Sequence, residues 1–182
     1  MGVPGRQADH PLGTDNTVNY FHELQKTLAQ IDPSPLLDFV RGCEGTLWLA
    51  GNGGSASTAQ HWACDLSKAA GRRVQALGAN SAVLTAWAND EAYEDALSEE
   101  LKVLGRPGDA LLCLSCSGTS LNIAMVLGMA RRMGIPTAMI TMPESYSDRV
   151  PVDVLVKVPS RHYGILEDCF GAIGHWLTEE LR

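Results

Sequence analysis

Two short apolar segments most restrict how this chain can fold. Each is followed at once by a turn of small residues and then by a helical pattern. Residues 46–50 read Thr-Leu-Trp-Leu-Ala, and residues 110–114 read Ala-Leu-Leu-Cys-Leu. A strand that is apolar at every position is typical of a parallel sheet with helices on both faces. The two segments therefore predict an α/β fold rather than an antiparallel sheet with one solvated face.

Helical and strand-like segments alternate along the rest of the chain. Strands are predicted at residues 46–50, 74–77, 110–114, 136–141 and 152–158, and helices at 17–31, 36–40, 55–70, 81–88, 91–104, 120–133 and 163–181. This alternation indicates a doubly wound parallel sheet. We predict a single three-layer α/β domain over residues 17–182, preceded by a flexible tail at residues 1–16 that has no hydrophobic period.

Composition excludes several functional classes. Lys and Arg number 14 against 21 Asp and Glu, a formal charge of −7 with no basic block, which argues against binding nucleic acid or anionic membranes. No apolar run has the roughly 18 residues of a membrane span, and no signal peptide is recognisable. The five cysteines form no metal or disulfide pattern, because Cys113 of the Cys113–Cys116 pair lies in a predicted buried strand. We expect reduced thiols and a cytoplasmic protein.

The first turn, residues 51–57, reads Gly-Asn-Gly-Gly-Ser-Ala-Ser between a predicted strand and a predicted helix. Backbone N–H groups at such a helix start attract anions, and ligands bind at the carboxyl ends of strands in open α/β sheets. The glycines also fit the loose dinucleotide-binding pattern, but residues 77–80 lack the acid that this pattern needs about 20 residues on. A nucleotide-binding lysine loop is excluded, since no Gly-Lys-Ser or Gly-Lys-Thr follows.

The second turn, residues 115–120, reads Ser-Cys-Ser-Gly-Thr-Ser and also opens a predicted helix. Its four hydroxyls could hold a phosphate without a lysine. Helix capping is the structural alternative, but a cap needs only one hydroxyl. The turn therefore favours phosphate binding.

These motifs together resemble the SIS (sugar isomerase) domain family, and within it the phosphoheptose isomerase branch. The resemblance covers residues 17–182 and depends on residues 51–55, 59–63, 88–90, 108–112 and 115–120. It implies a five-stranded parallel sheet between helices, with N-terminal helices that build a homotetramer and active sites between subunits. It also implies a sugar phosphate as the ligand.

The resemblance assigns ligand-binding roles residue by residue. Ser115, Ser117 and Ser120 match the phosphate-binding serines of the family, while Asn52, Ser55 and Asp90 match residues that contact sugar hydroxyls. Gly53, Gly54 and Cys116 lie within the same two turns and complete the predicted substrate site. A phosphate-binding arginine of some relatives is replaced by alanine here, so a nearby cation could take its place; the candidates are Lys68, Arg72 and Arg73.

Two helices supply a predicted acid/base and metal group. His61 and Asp65 are four residues apart, and Glu167 and His175 are eight apart, so each pair shares a helix face. The family has glutamate where this chain has Asp65 and glutamine where it has Glu167. The resemblance implies that Asp65 and His175 are the acid/base pair, and that His61, Asp65, Glu167 and His175 hold a zinc ion. Asp168 is the alternative if the last helix is shifted by one residue.

The predicted reaction is ketose–aldose isomerisation of sedoheptulose 7-phosphate through an enediol, which needs a base at carbon and an acid at oxygen. Aspartate reaches less far than glutamate, and proton transfer is sensitive to such displacements. The extra charge of Glu167 favours a divalent metal. Two alternatives remain open: a non-catalytic SIS protein that binds a sugar phosphate or a protein such as a replication initiator, and an isomerase of another phosphosugar.

Overall fold

The computed structural model describes residues 16–143 and 151–182. This part of the chain contains seven helices and five strands. They are, in order, α1 (Asn16–Leu28), α2 (Ser34–Arg41), β1 (Leu47–Ala50), α3 (Gly54–Lys68), β2 (Val74–Ala76), α4 (Ser81–Asp90), α5 (Tyr93–Leu104), β3 (Ala110–Ser115), α6 (Leu121–Arg132), β4 (Thr137–Thr141), β5 (Val154–Lys157) and α7 (Tyr163–Glu180). The predicted tail lies outside the described residues, apart from Asn16, which already belongs to α1.

The five strands form one parallel sheet in the order β2-β1-β3-β4-β5, which confirms the predicted α/β fold. The order reverses at β1, and β1 and β3 are direct neighbours with Ala50 opposite Cys113. Such a reversal opens a crevice at the carboxyl ends of the two strands, where ligands bind in folds of this kind. Both turns identified in the sequence begin at this crevice.

The strands are apolar throughout because each face of the sheet has its own core. Within β1, Leu47 and Leu49 join the core beneath α2, α3 and α7, while Trp48 and Ala50 join the core beneath α5 and α6. Strand β3 divides in the same way, since successive side chains point to opposite faces. Among the described helices, none combines the length and apolar character needed to cross a bilayer.

Helices α3 and α7 approach each other closely at one tryptophan. The indole of Trp62 is 1% exposed, and its Nε1–H donates to the carbonyl of Phe170 over 3.1 Å. Gly174 lies against the same indole, and a Cβ at this position would overlap the ring. The glycine thus sets how near the two helices come. His61 directly precedes Trp62, and His175 directly follows Gly174, so the approach of the helices also brings the two imidazoles together.

A buried carboxylate joins the amino ends of β1 and β3. Asp109, which is 5% exposed, accepts hydrogen bonds from Thr46 N at 2.7 Å, Trp48 Nε1 at 2.8 Å and Arg106 N at 2.8 Å. Burial by itself raises the pKa of Asp109, but these three donors and the charge of Arg73 outweigh burial and lower the pKa below its usual value. The ionised form therefore stabilises the register of the central strands.

We expect Asp109→Asn to lower the free energy of unfolding by about 1–3 kcal/mol at pH 7, because an amide places N–H beside groups that only donate. The native pKa of Asp109 is depressed, so its contribution is complete above the unfolded value of about 3.9 and is lost as pH falls through the native value. Urea unfolding of both proteins at pH 7 and pH 3 measures this. A difference that does not shrink at pH 3 would contradict the assignment.

Gly174→Ala should destabilise the protein by about 1–3 kcal/mol, because the added methyl group overlaps the Trp62 ring in a packed core. Gly171 is the matched control, since it lies one turn earlier in α7 and a Cβ there meets nothing within 4 Å. Gly171→Ala should stabilise the helix by up to about 1 kcal/mol. Urea unfolding should give opposite signs for the two variants, and equal effects would show that Trp62 does not limit the helix approach.

Candidate functional site

The first turn is shaped by glycines between β1 and α3. Gly51 is buried, and a Cβ there would lie 2.7 Å from the backbone of Ser55, so no larger residue fits. Gly53 has φ of +53°, a left-handed conformation that glycine adopts without strain. The chain therefore reverses within a few residues and places Ser55, which is 4% exposed, in the first turn of α3.

The second turn presents serine hydroxyls at the start of α6. Ser115 Oγ accepts from Gly118 N at 3.1 Å, and Ser117 Oγ accepts from Thr119 N at 3.2 Å, which fixes the loop. Ser120 occupies the N-cap position of α6, yet its side chain makes no capping hydrogen bond. Capping therefore does not account for the hydroxyl of Ser120, and the loop keeps the features of an anion site at a helix start.

Cys116 joins the two turns. Its Sγ lies 3.8 Å from Ser55 Oγ, and the thiol is 8% exposed. Burial raises the pKa of the Cys116 thiol, with the nearby Glu167 charge acting in the same direction and the Ser55 contact opposing it. The thiol is therefore neutral at physiological pH and acts as a packing and hydrogen-bonding group in the site.

An amide pair also connects the turns. Asn52 from the first turn and Asn122 from α6 exchange two hydrogen bonds, of 2.8 and 2.7 Å, and the Tyr93 hydroxyl donates to Asn52 Oδ1 at 2.9 Å. Of these three residues, only Asn52 was predicted from the sequence. The signal for Asn122 in the sequence was its position two residues after the serine-rich turn that follows the neighbouring strand.

Three of the predicted acid/base and metal residues come together between α3 and α7. Asp65 Oδ2 lies 3.0 Å from His61 Nε2 and 3.7 Å from His175 Nε2, and the two imidazole nitrogens are 3.4 Å apart. The three side chains are 58%, 32% and 63% exposed for His61, Asp65 and His175, so a ligand can reach all of them. Among the described residues, these three form a group whose ligand atoms all lie within 4.8 Å of one another.

Glu167 lies apart from this group. Its carboxylate packs against Gly54 at the start of α3, where a Cβ on that glycine would overlap it. The adjacent Asp168 faces α1 instead and accepts a hydrogen bond of 2.7 Å from Tyr20. Burial and this contact raise the pKa of Tyr20 to about 12. The structure thus brings together three of the four predicted metal ligands, with Glu167 at the adjoining glycine turn.

Other predicted residues lie farther from this centre. Asp90 is exposed at the end of α4 and accepts from Asn89 Nδ2 at 2.8 Å, and no hydrogen bond among the described residues connects it with either turn. Arg72 donates to the carbonyls of Val40 and Cys43 at the amino end of the sheet, where Arg73 donates to Glu44. Lys68 ends α3 on that same side. The contacts of the two arginines and the position of Lys68 therefore lie at the end of the sheet opposite the two turns.

Comparison with known proteins finds relatives of similar sequence. The chain is 36% identical over 141 residues to phosphoheptose isomerase of Akkermansia muciniphila, covering 73% of each chain. It is 30% identical over 169 residues to the Maridesulfovibrio salexigens phosphoheptose isomerase, covering 90% of this chain and 81% of that one. No family model matches the chain.

Solved structures show the same fold. The Neisseria gonorrhoeae phosphoheptose isomerase superposes with a TM-score of 0.84 at 23% identity, over 92% of this chain and 98% of that one. The Francisella tularensis phosphoheptose isomerase gives a TM-score of 0.84 at 22% identity, over 93% and 98%. With the sequence identities above, the chain belongs to the phosphoheptose isomerase family of SIS-domain proteins.

Proposed function

We propose that this chain is a ketose–aldose isomerase that converts sedoheptulose 7-phosphate into D-glycero-D-manno-heptose 7-phosphate through an enediol. The observation that carries the proposal is the group formed by His61, Asp65 and His175 beside two ligand-binding turns. Membership of the phosphoheptose isomerase family supports the substrate. The reaction needs one group that removes a proton from carbon and one that donates a proton to oxygen.

The phosphate of the substrate would bind at the start of α6. The loop contains Ser115, Ser117 and Ser120. Gly118, with φ of +63°, allows the backbone to turn sharply within the loop. The helix N-terminus adds a partial positive charge that favours an anion. Hydroxyls and backbone N–H groups would thus compensate for the absence of an arginine at this position.

The sugar would lie between the first turn and the group on α3 and α7. Residues 52–55 of this turn would contact the sugar, and Cys116 lies against Ser55. We also propose Asp90, the last residue of α4, as a sugar-binding residue, on the basis of the motif at residues 88–90 that resembles the family. The sugar chain would then extend from the serine loop toward Asp65 and His175.

Asp65 is the proposed base and His175 the proposed acid. Asp65 would take the proton from the carbon next to the ketose carbonyl and later return it to the former carbonyl carbon. His175 would protonate the carbonyl oxygen and then accept the hydroxyl proton of the neighbouring carbon, so that protons balance over the cycle. His61 lies 3.0 Å from Asp65 and holds the shorter aspartate side chain in place.

Zinc is the proposed metal. Two imidazoles and one carboxylate with ligand atoms within 4.8 Å of one another fit the donor set of three-ligand zinc sites, so His61, Asp65 and His175 would hold the ion. Glu167 is the proposed fourth ligand. When bound, zinc would polarise the substrate carbonyl as a Lewis acid. The negative charge of Glu167, where relatives have glutamine, would add to the affinity for a cation.

We further propose a homotetramer with sites between subunits, located in the cytoplasm. Phe21 on α1 is 65% exposed, and an apolar side chain of this size on an N-terminal helix suits a subunit contact. All five cysteines are free thiols, as expected in a reducing compartment.

Asp65→Asn should lower kcat for sedoheptulose 7-phosphate by at least about 100-fold, because the amide cannot take a proton from carbon. Turnover is followed by NMR of the sugar with metal-free and zinc-loaded protein. Asp38→Asn, an exposed aspartate on α2, is the matched control and should keep wild-type turnover. Absence of turnover in folded wild-type protein in both states would reject the proposed reaction, and another phosphosugar or a binding role would take its place.

Glu167→Gln should weaken zinc binding by about tenfold, because a neutral amide replaces a carboxylate near the cation. The dissociation constant is measured by competition with a chromogenic chelator. Glu180→Gln, at the far end of α7, is the matched control and should leave zinc affinity unchanged. If Glu167→Gln binds zinc as tightly as wild-type protein, Glu167 is not a ligand and the metal group consists of the three residues alone.

A further inference from the structure

The orientation of the Asn52–Asn122 amide pair follows from one backbone group. Ile123 N–H donates to Asn122 Oδ1 at 3.0 Å, so this atom must be the oxygen. The other end of the Asn122 amide is therefore the nitrogen, and it faces Asn52 Oδ1 at 2.7 Å. Asn122 is 3% exposed, which keeps water from competing for these bonds.

The hydrogen-bonding capacity of Asn52 is then almost used up. Its Oδ1 accepts from both Asn122 Nδ2 and the Tyr93 hydroxyl, which fills the two lone pairs of an amide oxygen. One hydrogen of its Nδ2 donates to Asn122 Oδ1 at 2.8 Å. One N–H of Asn52 is left, and Asn52 is only partly buried.

We propose that Asn122 and Tyr93 are positioning residues that make Asn52 a one-sided donor, offering the sugar a single N–H and no acceptor. This inference rests on the proposed function, in which Asn52 contacts the sugar. It specifies the ligand group that Asn52 recognises: an oxygen that accepts a hydrogen bond, either a carbonyl or the lone pair of a hydroxyl. A fixed donor also stabilises negative charge that develops on such an oxygen, without reorganising during the reaction.

Tyr93 completes the arrangement from a third element. It is the first residue of α5 and is 52% exposed, so its hydroxyl reaches the first turn from the rim of the crevice. Without this hydroxyl, Asn52 Oδ1 would have a free lone pair and could accept from a sugar hydroxyl. Tyr93 therefore prevents Asn52 from accepting a hydrogen bond from a sugar hydroxyl.

The test is a double-mutant cycle, because a residue that acts through Asn52 has no effect once Asn52 is gone. Asn122→Ala and Tyr93→Phe are each made in wild-type protein and in Asn52→Ala, and kcat and KM for sedoheptulose 7-phosphate are measured. In wild-type protein, Asn122→Ala should lower kcat/KM by about tenfold or more, and Tyr93→Phe by about threefold to tenfold. In the Asn52→Ala background, both effects should fall below about twofold.

Two controls separate positioning from folding. Ser98→Ala removes another buried polar side chain, on α5, and Tyr163→Phe removes another hydroxyl from the first residue of a helix. Both should leave kcat/KM within about twofold of wild type. The affinity for inorganic phosphate should also stay unchanged in Asn122→Ala and Tyr93→Phe, because neither substitution changes the charge at the serine loop.

Effects that persist in Asn52→Ala, or the absence of any effect in wild-type protein, would overturn the proposal. If Asn122→Ala does not fold, the cycle of Tyr93→Phe with Asn52→Ala tests the proposal by the same criteria. Side-chain amide NMR tests the pairing independently of turnover, since Asn122→Ala should shift the Asn52 Nδ2 protons and speed their exchange with water. Unchanged Asn52 signals would reject the pairing, whereas inactive wild-type protein with the expected shifts would reject only the proposed reaction.

Discussion

The contact between the Trp62 indole and helix α7 is the constraint on which the site depends. The ring fills the space that Gly174 leaves open, and its N–H donates to the Phe170 carbonyl. These two contacts fix the distance between α3 and α7 at this point. His61 and His175 are the neighbours of Trp62 and Gly174 in sequence, and their imidazole nitrogens are 3.4 Å apart as a result. A packing contact thus defines the geometry of a polar centre whose two imidazoles are largely exposed.

The sheet order supplies the second part of the site. Because β1 and β3 are neighbours at the point where strand order reverses, the turns that follow them meet in one crevice. Side chains then join the turns directly, through Asn52 with Asn122 and through Ser55 with Cys116. The two turns are consequently one connected unit, which would keep a fixed distance between the phosphate and the sugar of the proposed substrate.

Much of this was predictable from local pattern. The uniformly apolar segments predicted β1 and β3, which the structure confirms. The separation of four residues between His61 and Asp65 predicted that they share a helix face, and their side chains are in contact. Element ends were less accurate: α5 begins at Tyr93 rather than residue 91, and α4 continues to Asp90. Helix ends depend on caps and on neighbouring packing, which periodicity does not record.

Long-range contacts were not predictable in the same way. Asn52 and Asn122 are 70 residues apart, and only the sheet order brings them together. The side-chain direction of Glu167 depends on the space above Gly54. The arginines after α3 donate to carbonyls at the end of α2 and in the loop that follows it. The spacing of residues along a helix predicts which face each one occupies. The position of a long side chain also depends on the space around it and on its hydrogen-bond partners.

The Asp109 carboxylate lies at the opposite end of the sheet from all of this chemistry. It fixes β1 against the loop before β3 through hydrogen bonds at the amino ends of the strands. The alignment of the central strands is thus secured without help from either turn. Mutations in the turns can therefore alter what the crevice recognises while the scaffold stays intact, and a chain built in this way is well suited to acquire new sugar specificities in evolution.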